Sequence, residues 1–160
     1  MSRYGGGPSA SAAYPALMSI PEPSDEQLEW EKTCSRAITS DTVWKLDAYR
    51  SALFLILCAR ADLRSIPGIR PDDELGVQLL AAAASVSAHI GEGYGRWTLA
   101  DQLKYLGYAL GSVRECMSWY EALRDRLSDA VVDKREALIA RTRALTLGYI
   151  RSLRQKRGKD

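Results

Sequence analysis

Few residues in this chain could do chemistry. There is one histidine, His89, with Glu92 three positions on. On a helix that spacing puts both on one face, where an acid–base pair or part of a metal site could form. Di-iron centres in helical bundles take two Glu-x-x-His motifs plus further glutamates. Here a lone His stands in the reverse order, so no metal is expected. No nucleophile–base pair is evident either, so no catalytic residue is assigned and an enzyme is not expected. Gly91-Glu92-Gly93-Tyr94-Gly95 has the glycine density of a phosphate loop. A dinucleotide fingerprint needs a preceding strand and G-x-G-x-x-G spacing. A helical pattern precedes this stretch and Arg96 follows it, so it reads as a helix-ending turn and no cofactor is implied. Cys34, Cys58 and Cys116 have no metal or disulfide spacing. Free thiols suit a reducing compartment, and a cytoplasmic location is expected.

The stronger signal is for binding. Net charge is only +2, but residues 134–160 carry nine basic and two acidic groups, against ten and thirteen over 41–133 and three and five over 1–40. Arginine outnumbers lysine sixteen to six, and its planar fork suits phosphate and stacks on bases. Arg143 and Arg154 are eleven positions apart and so share nearly one helix face, with Arg151 within a quarter turn. With Lys156, Arg157 and Lys159, and with Arg96 at the central turn, they are the candidate nucleic-acid-binding residues. Engaging ~5 phosphates would give a log–log salt slope near −4. Trp97 stands just before a helix start and is expected to be exposed, open to stacking on a base. Trp44 and Trp119 read as core or interface.

The elements that position these residues follow from periodicity. A chain of 160 residues makes one domain, burying ~70% of its unfolded surface. Its longest apolar run, residues 52–59, is far short of the ~18 residues of a membrane span. No basic n-region with an apolar h-region opens the chain. Residues 1–23, rich in Gly, Ser, Ala and Pro, read as a disordered tail. A short helix is expected over 24–39, capped by Ser24 with Gln27, with Trp30, Cys34 and Ile38 on one stripe. Residues 1–40 thus form a flexible extension, and 41–158 an all-α, antiparallel up-down-up-down four-helix bundle with helices about 42–64, 73–93, 99–127 and 131–157. Asp47, Arg50 and Asp62 mark the wet face of the first, and the second is apolar enough to be mostly buried. Gly111 and Ser112 are expected opposite residues 81–85, letting two backbones approach. Connectivity should gather His89, Glu92, Tyr94, Arg96 and Trp97 near Trp44 and Lys45, with the basic end of the last helix at the same pole. Arg96 is expected to pair with Glu92. Glu115 lies towards the other pole, facing Arg60, Arg64 or a neighbouring subunit.

Residues 81–115 carry Ser85, His89-Ile90-Gly91-Glu92-Gly93, Tyr94, Gly95-Arg96, Thr98, Gly111-Ser112 and Glu115. This pattern, with Val43-Trp44-Lys45, resembles a family of small bacterial four-helix-bundle proteins associated with intervening sequences of ribosomal RNA genes. The family includes the accessory variability determinant of diversity-generating retroelements. The resemblance covers about 41–157. His89 replaces the usual Asn and Gly91 the usual Ala. On this resemblance, Ser112 and Glu115 join His89, Glu92 and Arg96 in a structural polar network. The resemblance also implies a non-enzymatic homo-oligomer, a pentamer with a basic surface, with RNA or DNA and a reverse transcriptase as partners. The alternative from the residues is a protein–protein scaffold docking a partner through 24–39, with no nucleic-acid role.

Overall fold

The computed structural model describes residues 20–70 and 73–157. Most of the expected tail and Lys159 lie outside them.

Ser24 opens the first helix, α1 (Asp25–Thr33), its hydroxyl accepting from the Gln27 amide at 3.2 Å. The single helix expected over 24–39 is in fact broken. Cys34 (ψ 143°) and Ser35 (ψ 149°) are extended, and a separate turn, α2 (Arg36–Thr39), follows. Trp30 and Ile38 therefore do not share one axis. Asp41 caps a 3-10 turn (Thr42–Lys45), its carboxylate accepting from the Val43 amide at 2.9 Å. Because Leu46 is extended (ψ 114°), the first long helix, α3 (Asp47–Ser65), starts later than the pattern suggests. Next come α4 (Glu74–Tyr94) and α5 (Leu99–Ala122), the latter capped by Thr98 accepting from the Asp101 amide at 3.1 Å. α5 ends sooner than expected, in a 3-10 turn (Arg124–Arg126), and α6 (Asp129–Arg157) begins sooner, the Ser128 carbonyl taking its first amides.

The described residues contain no strand. α3 packs on α4, α4 on α5, α5 on α6, and α6 back on α3. That closed ring, with short connections, is the antiparallel four-helix bundle. Its axis is filled by Leu55, Leu79, Val86, Ile90, Leu106, Val113 and Leu123. α1 lies on α3, with Trp30 5.4 Å from Phe54 and 6.3 Å from Trp44 between ring centroids.

Two further expectations need correction and a third needs refinement. Asp62 is not on the wet face; its residue is 5% exposed. Arg135 of α6 reaches it bidentately, Nε to Oδ2 at 2.7 Å and Nη2 to Oδ1 at 3.0 Å, and the Tyr120 hydroxyl of α5 donates to Oδ2 at 2.8 Å. One carboxylate thus joins three helices. Burial opposes the charge on Arg135, but its bonds to Asp62 outweigh that and its pKa is raised. Burial, then Asp62, pushes the Tyr120 phenol up. Second, the close approach of α4 and α5 is not at Gly111, where a Cβ would meet nothing within 4 Å. It is at Gly93, where a Cβ would lie 3.3 Å from both the Gln102 carbonyl oxygen and Tyr105 Cβ. Third, the cover on α4 takes in most of the helix but leaves one stripe open. Val77, Ala81, Ala84 and Ala88, at i, i+4, i+7 and i+11, are exposed in the single chain.

Two stability measurements check this packing. Asp62→Ala strands a buried guanidinium and should cost about 3–5 kcal/mol in urea unfolding. Asp62→Ala with Arg135→Met should recover most of that loss, and a single variant as stable as the parent would refute the lock. Gly91→Ala adds a methyl that meets only Tyr49 Cε2, at an ordinary 3.5 Å. It should therefore gain about 0.5–1 kcal/mol from helix propensity, whereas loss of stability would mean the α3–α4 contact there is already full.

Candidate nucleic-acid interface

The basic residues of α6 divide at Arg141. Before it the chain consumes its own cations. Lys134 pairs with Glu26 of α1 at 2.6 Å, and Arg135 with Asp62. Arg141 is 6% exposed and donates to the Pro21 carbonyl; burial holds its guanidinium below the usual arginine range. Beyond Arg141 the described cations are free of acidic partners. Arg143, Arg151, Arg154 and Lys156 are exposed, and none makes a salt bridge among the described residues.

Arg143, Leu147, Arg151 and Arg154 follow at i, i+4, i+8 and i+11, a stripe of roughly 16 Å along one side of the helix. Arg143 and Arg151 border a groove of about 900 Å³ between α5 and α6, floored by Met117, Val132, Ile139 and Leu147. Its two acids, Glu121 and Glu136, are both paired with Arg124. Lys156 lies about 140° round the helix from Arg143 and does not extend the stripe. Arg157 is the last helical residue; its side chain, like Lys159, is outside the described part.

Arg96 is elsewhere on the surface, at the α4–α5 turn. Its Nη2 donates to the Tyr105 hydroxyl at 2.8 Å, its guanidinium carbon sits 4.3 Å from the centre of that ring, and Glu92 is 3.9 Å away. Gln102 donates to the Arg96 carbonyl at 2.9 Å. Trp97, next in sequence, is 100% exposed. His89 faces Tyr105 and Tyr108, with ring centroids at 6.4 and 5.6 Å, and its buried Nδ1 has no hydrogen-bond partner among the described residues. Of the five residues expected to form one polar network, only Glu92 and Arg96 are directly linked. His89 joins them through the Tyr105 ring. Ser112 is buried about two turns further along α5, and Glu115 is exposed about three turns along. Neither bonds to the turn, and Glu115 makes no salt bridge to Arg60 or Arg64 among the described residues. Trp44 packs on Trp30 and under Arg50, whose guanidinium carbon is 5.9 Å from the ring. The turn and the end of α6 do share a pole. Tyr149 of α6 has its phenol raised by burial and then by neighbouring Tyr94 of α4.

Sequence reasoning missed the Asp62–Arg135–Tyr120 lock, and it missed the aromatic cluster around His89. The second had a signal, since Tyr105 and Tyr108 stand at i, i+3 on a helix that folds back over His89. No group of three or more His, Cys, Asp or Glu among the described residues could hold a metal ion. Burial pushes the thiols of Cys58 and Cys116 up to about 11 and about 12, so neither is a thiolate near neutral pH. No helix among the described residues is long and apolar enough to cross a membrane.

A family model described as 23S rRNA-intervening sequence protein matches residues 46–145. The match takes in α3 to α5 and the first half of α6. It leaves outside it α1, α2 and the free end of the arginine stripe, Arg151 and Arg154. No curated protein matches the chain.

The Arg96–Glu92 pair is long and exposed, and such pairs contribute little. Arg96→Ala should change unfolding stability by less than about 1 kcal/mol. A larger loss would make Arg96 a structural residue and exclude it from the binding surface.

Proposed function

The chain belongs to the 23S rRNA-intervening sequence protein family, and from that premise we propose that it is a non-enzymatic accessory protein that binds RNA phosphates. Arg143, Arg151 and Arg154 carry the contact; Arg96 and Lys156 add positive charge towards the same pole, and Arg157 and Lys159, the next basic residues in sequence, belong to the same proposal. The observation behind this is the split of α6. Its first cations are tied to acids or carbonyls of this chain, while the later ones stand exposed without acidic partners among the described residues. An internal pair neutralises an arginine; an unpaired stripe keeps its charge for a polyanion. Duplex DNA offers the same phosphates and is the second ligand class to test.

The exposed stripe of Val77, Ala81, Ala84 and Ala88 on α4 supports self-association, because contiguous apolar surface of this kind is what a second subunit covers. A ring of five, as the resemblance suggests, would present five arginine stripes and gain avidity without new contacts. A reverse transcriptase as further partner, and a cytoplasmic location, belong to the same proposal. Docking of a partner through 24–39 is less favoured. Pro21, Glu26, Trp30 and Glu31 already engage Arg141, Lys134, Phe54 and Arg50 of the bundle.

The test titrates a structured RNA and a DNA duplex of equal length with the full chain. In the Arg143→Ala, Arg151→Ala, Arg154→Ala triple variant, affinity should fall about tenfold or more, with circular dichroism and oligomer mass unchanged. Unaltered affinity, or no binding by the parent at low salt, would overturn the proposal.

A further inference from the structure

We propose that the α4–α5 turn is a stacking site for unpaired bases, so that the RNA taken by this protein is single-stranded where it meets Trp97. This rests on the RNA-binding role proposed above and adds a second kind of contact to it.

Four observations converge on the site. Trp97 is 100% exposed, an indole with both faces open. Tyr108, 47% exposed, meets Tyr105 edge-on at 5.8 Å between centroids, and His89 lies beside both. Arg96 covers the Tyr105 ring at 4.3 Å and is fixed there by the Tyr105 hydroxyl, while Gln102 holds its carbonyl. Lys104, exposed one turn before Tyr108, adds a cation at the edge. The surface therefore combines π faces with guanidinium and ammonium groups, which is the chemistry of single-strand binding sites. There, bases stack on aromatic rings and cations follow the backbone.

A duplex cannot use this surface, since its bases are stacked on one another and its outer face is phosphate and sugar. An acidic protein could pair with Arg96 and Lys104 but would have no use for an open indole. The part of the platform beside Trp97 is also held in place before ligand arrives, because His89, Tyr105 and Tyr108 brace one another. Binding then loses less side-chain freedom than a loose cluster would. The arginine stripe of α6 ends at the same pole, where Tyr149 neighbours Tyr94. One strand can thus place phosphates on α6 and bases on the turn.

The experiment uses the full chain, a short oligouridylate and an RNA duplex of the same length. Trp97→Ala should weaken oligouridylate binding by about five- to a hundredfold and leave duplex affinity within about twofold. Tyr108→Ala should do the same more weakly. Intrinsic tryptophan fluorescence should be quenched by oligouridylate in the parent, and that quenching should be mostly lost in Trp97→Phe. Equal oligouridylate affinity in parent and Trp97→Ala would overturn the stacking site; if the arginine variants still bind less, the RNA-binding role stands without it. A fall in oligomer mass on either substitution would make the aromatic cluster a subunit contact and also overturn the proposal. A parent that binds neither RNA ends both.

Discussion

The position of every exposed cation on α6 depends on one buried interaction, the pairing of Asp62 with Arg135. A buried ion pair does not by itself add much net stability, because desolvation offsets most of the attraction. Its effect here is orientation. The two-pronged contact fixes the rotation of α6 against α3, and Tyr120 brings α5 to the same carboxylate. Two turns on, the hydroxyls of Ser51 and Thr142, 2.8 Å apart in the core, repeat the constraint. Rotating α6 by one residue, about 100°, would break both contacts. With Arg135 and Thr142 turned inward, Arg143, Arg151 and Arg154 have to face out.

The N-terminal extension sharpens that division. Glu26 occupies Lys134, the Pro21 carbonyl occupies Arg141, and Glu31 lies 3.2 Å from Arg50. The extension lies outside the residues matched by the family model and forms an acidic cover on one flank of the bundle. What remains positive is concentrated towards the end of α6, the pole that also carries the α4–α5 turn.

Much of the fold was legible because helical periodicity is a local signal. Leu138, Leu145, Tyr149, Ile150 and Leu153 mark the inner face of α6 in sequence and pack against the core in the structure. Asp62 was misplaced for the opposite reason. Its partner stands 73 positions away, and a lone Asp with Arg60 and Arg64 two positions to either side looks like a solvated residue. The break at Cys34 and Ser35 was hidden because helix propensity is weak against the docking of Trp30 on Phe54. At the candidate site, the free arginines could be named from composition and spacing, but which cations were free could not. That depends on contacts with residues 21 and 26, more than a hundred positions upstream. The polar network expected from the family signature came apart because signature residues on α4 and α5 face different neighbours, Ser112 inward and Glu115 to solvent.

The most direct measurement is the affinity of the full chain for a structured RNA as a function of salt. Three unpaired arginines on phosphates should give a log–log slope of roughly −2 to −3. A flat dependence would contradict phosphate binding by α6 and reduce the stripe to a solvated face.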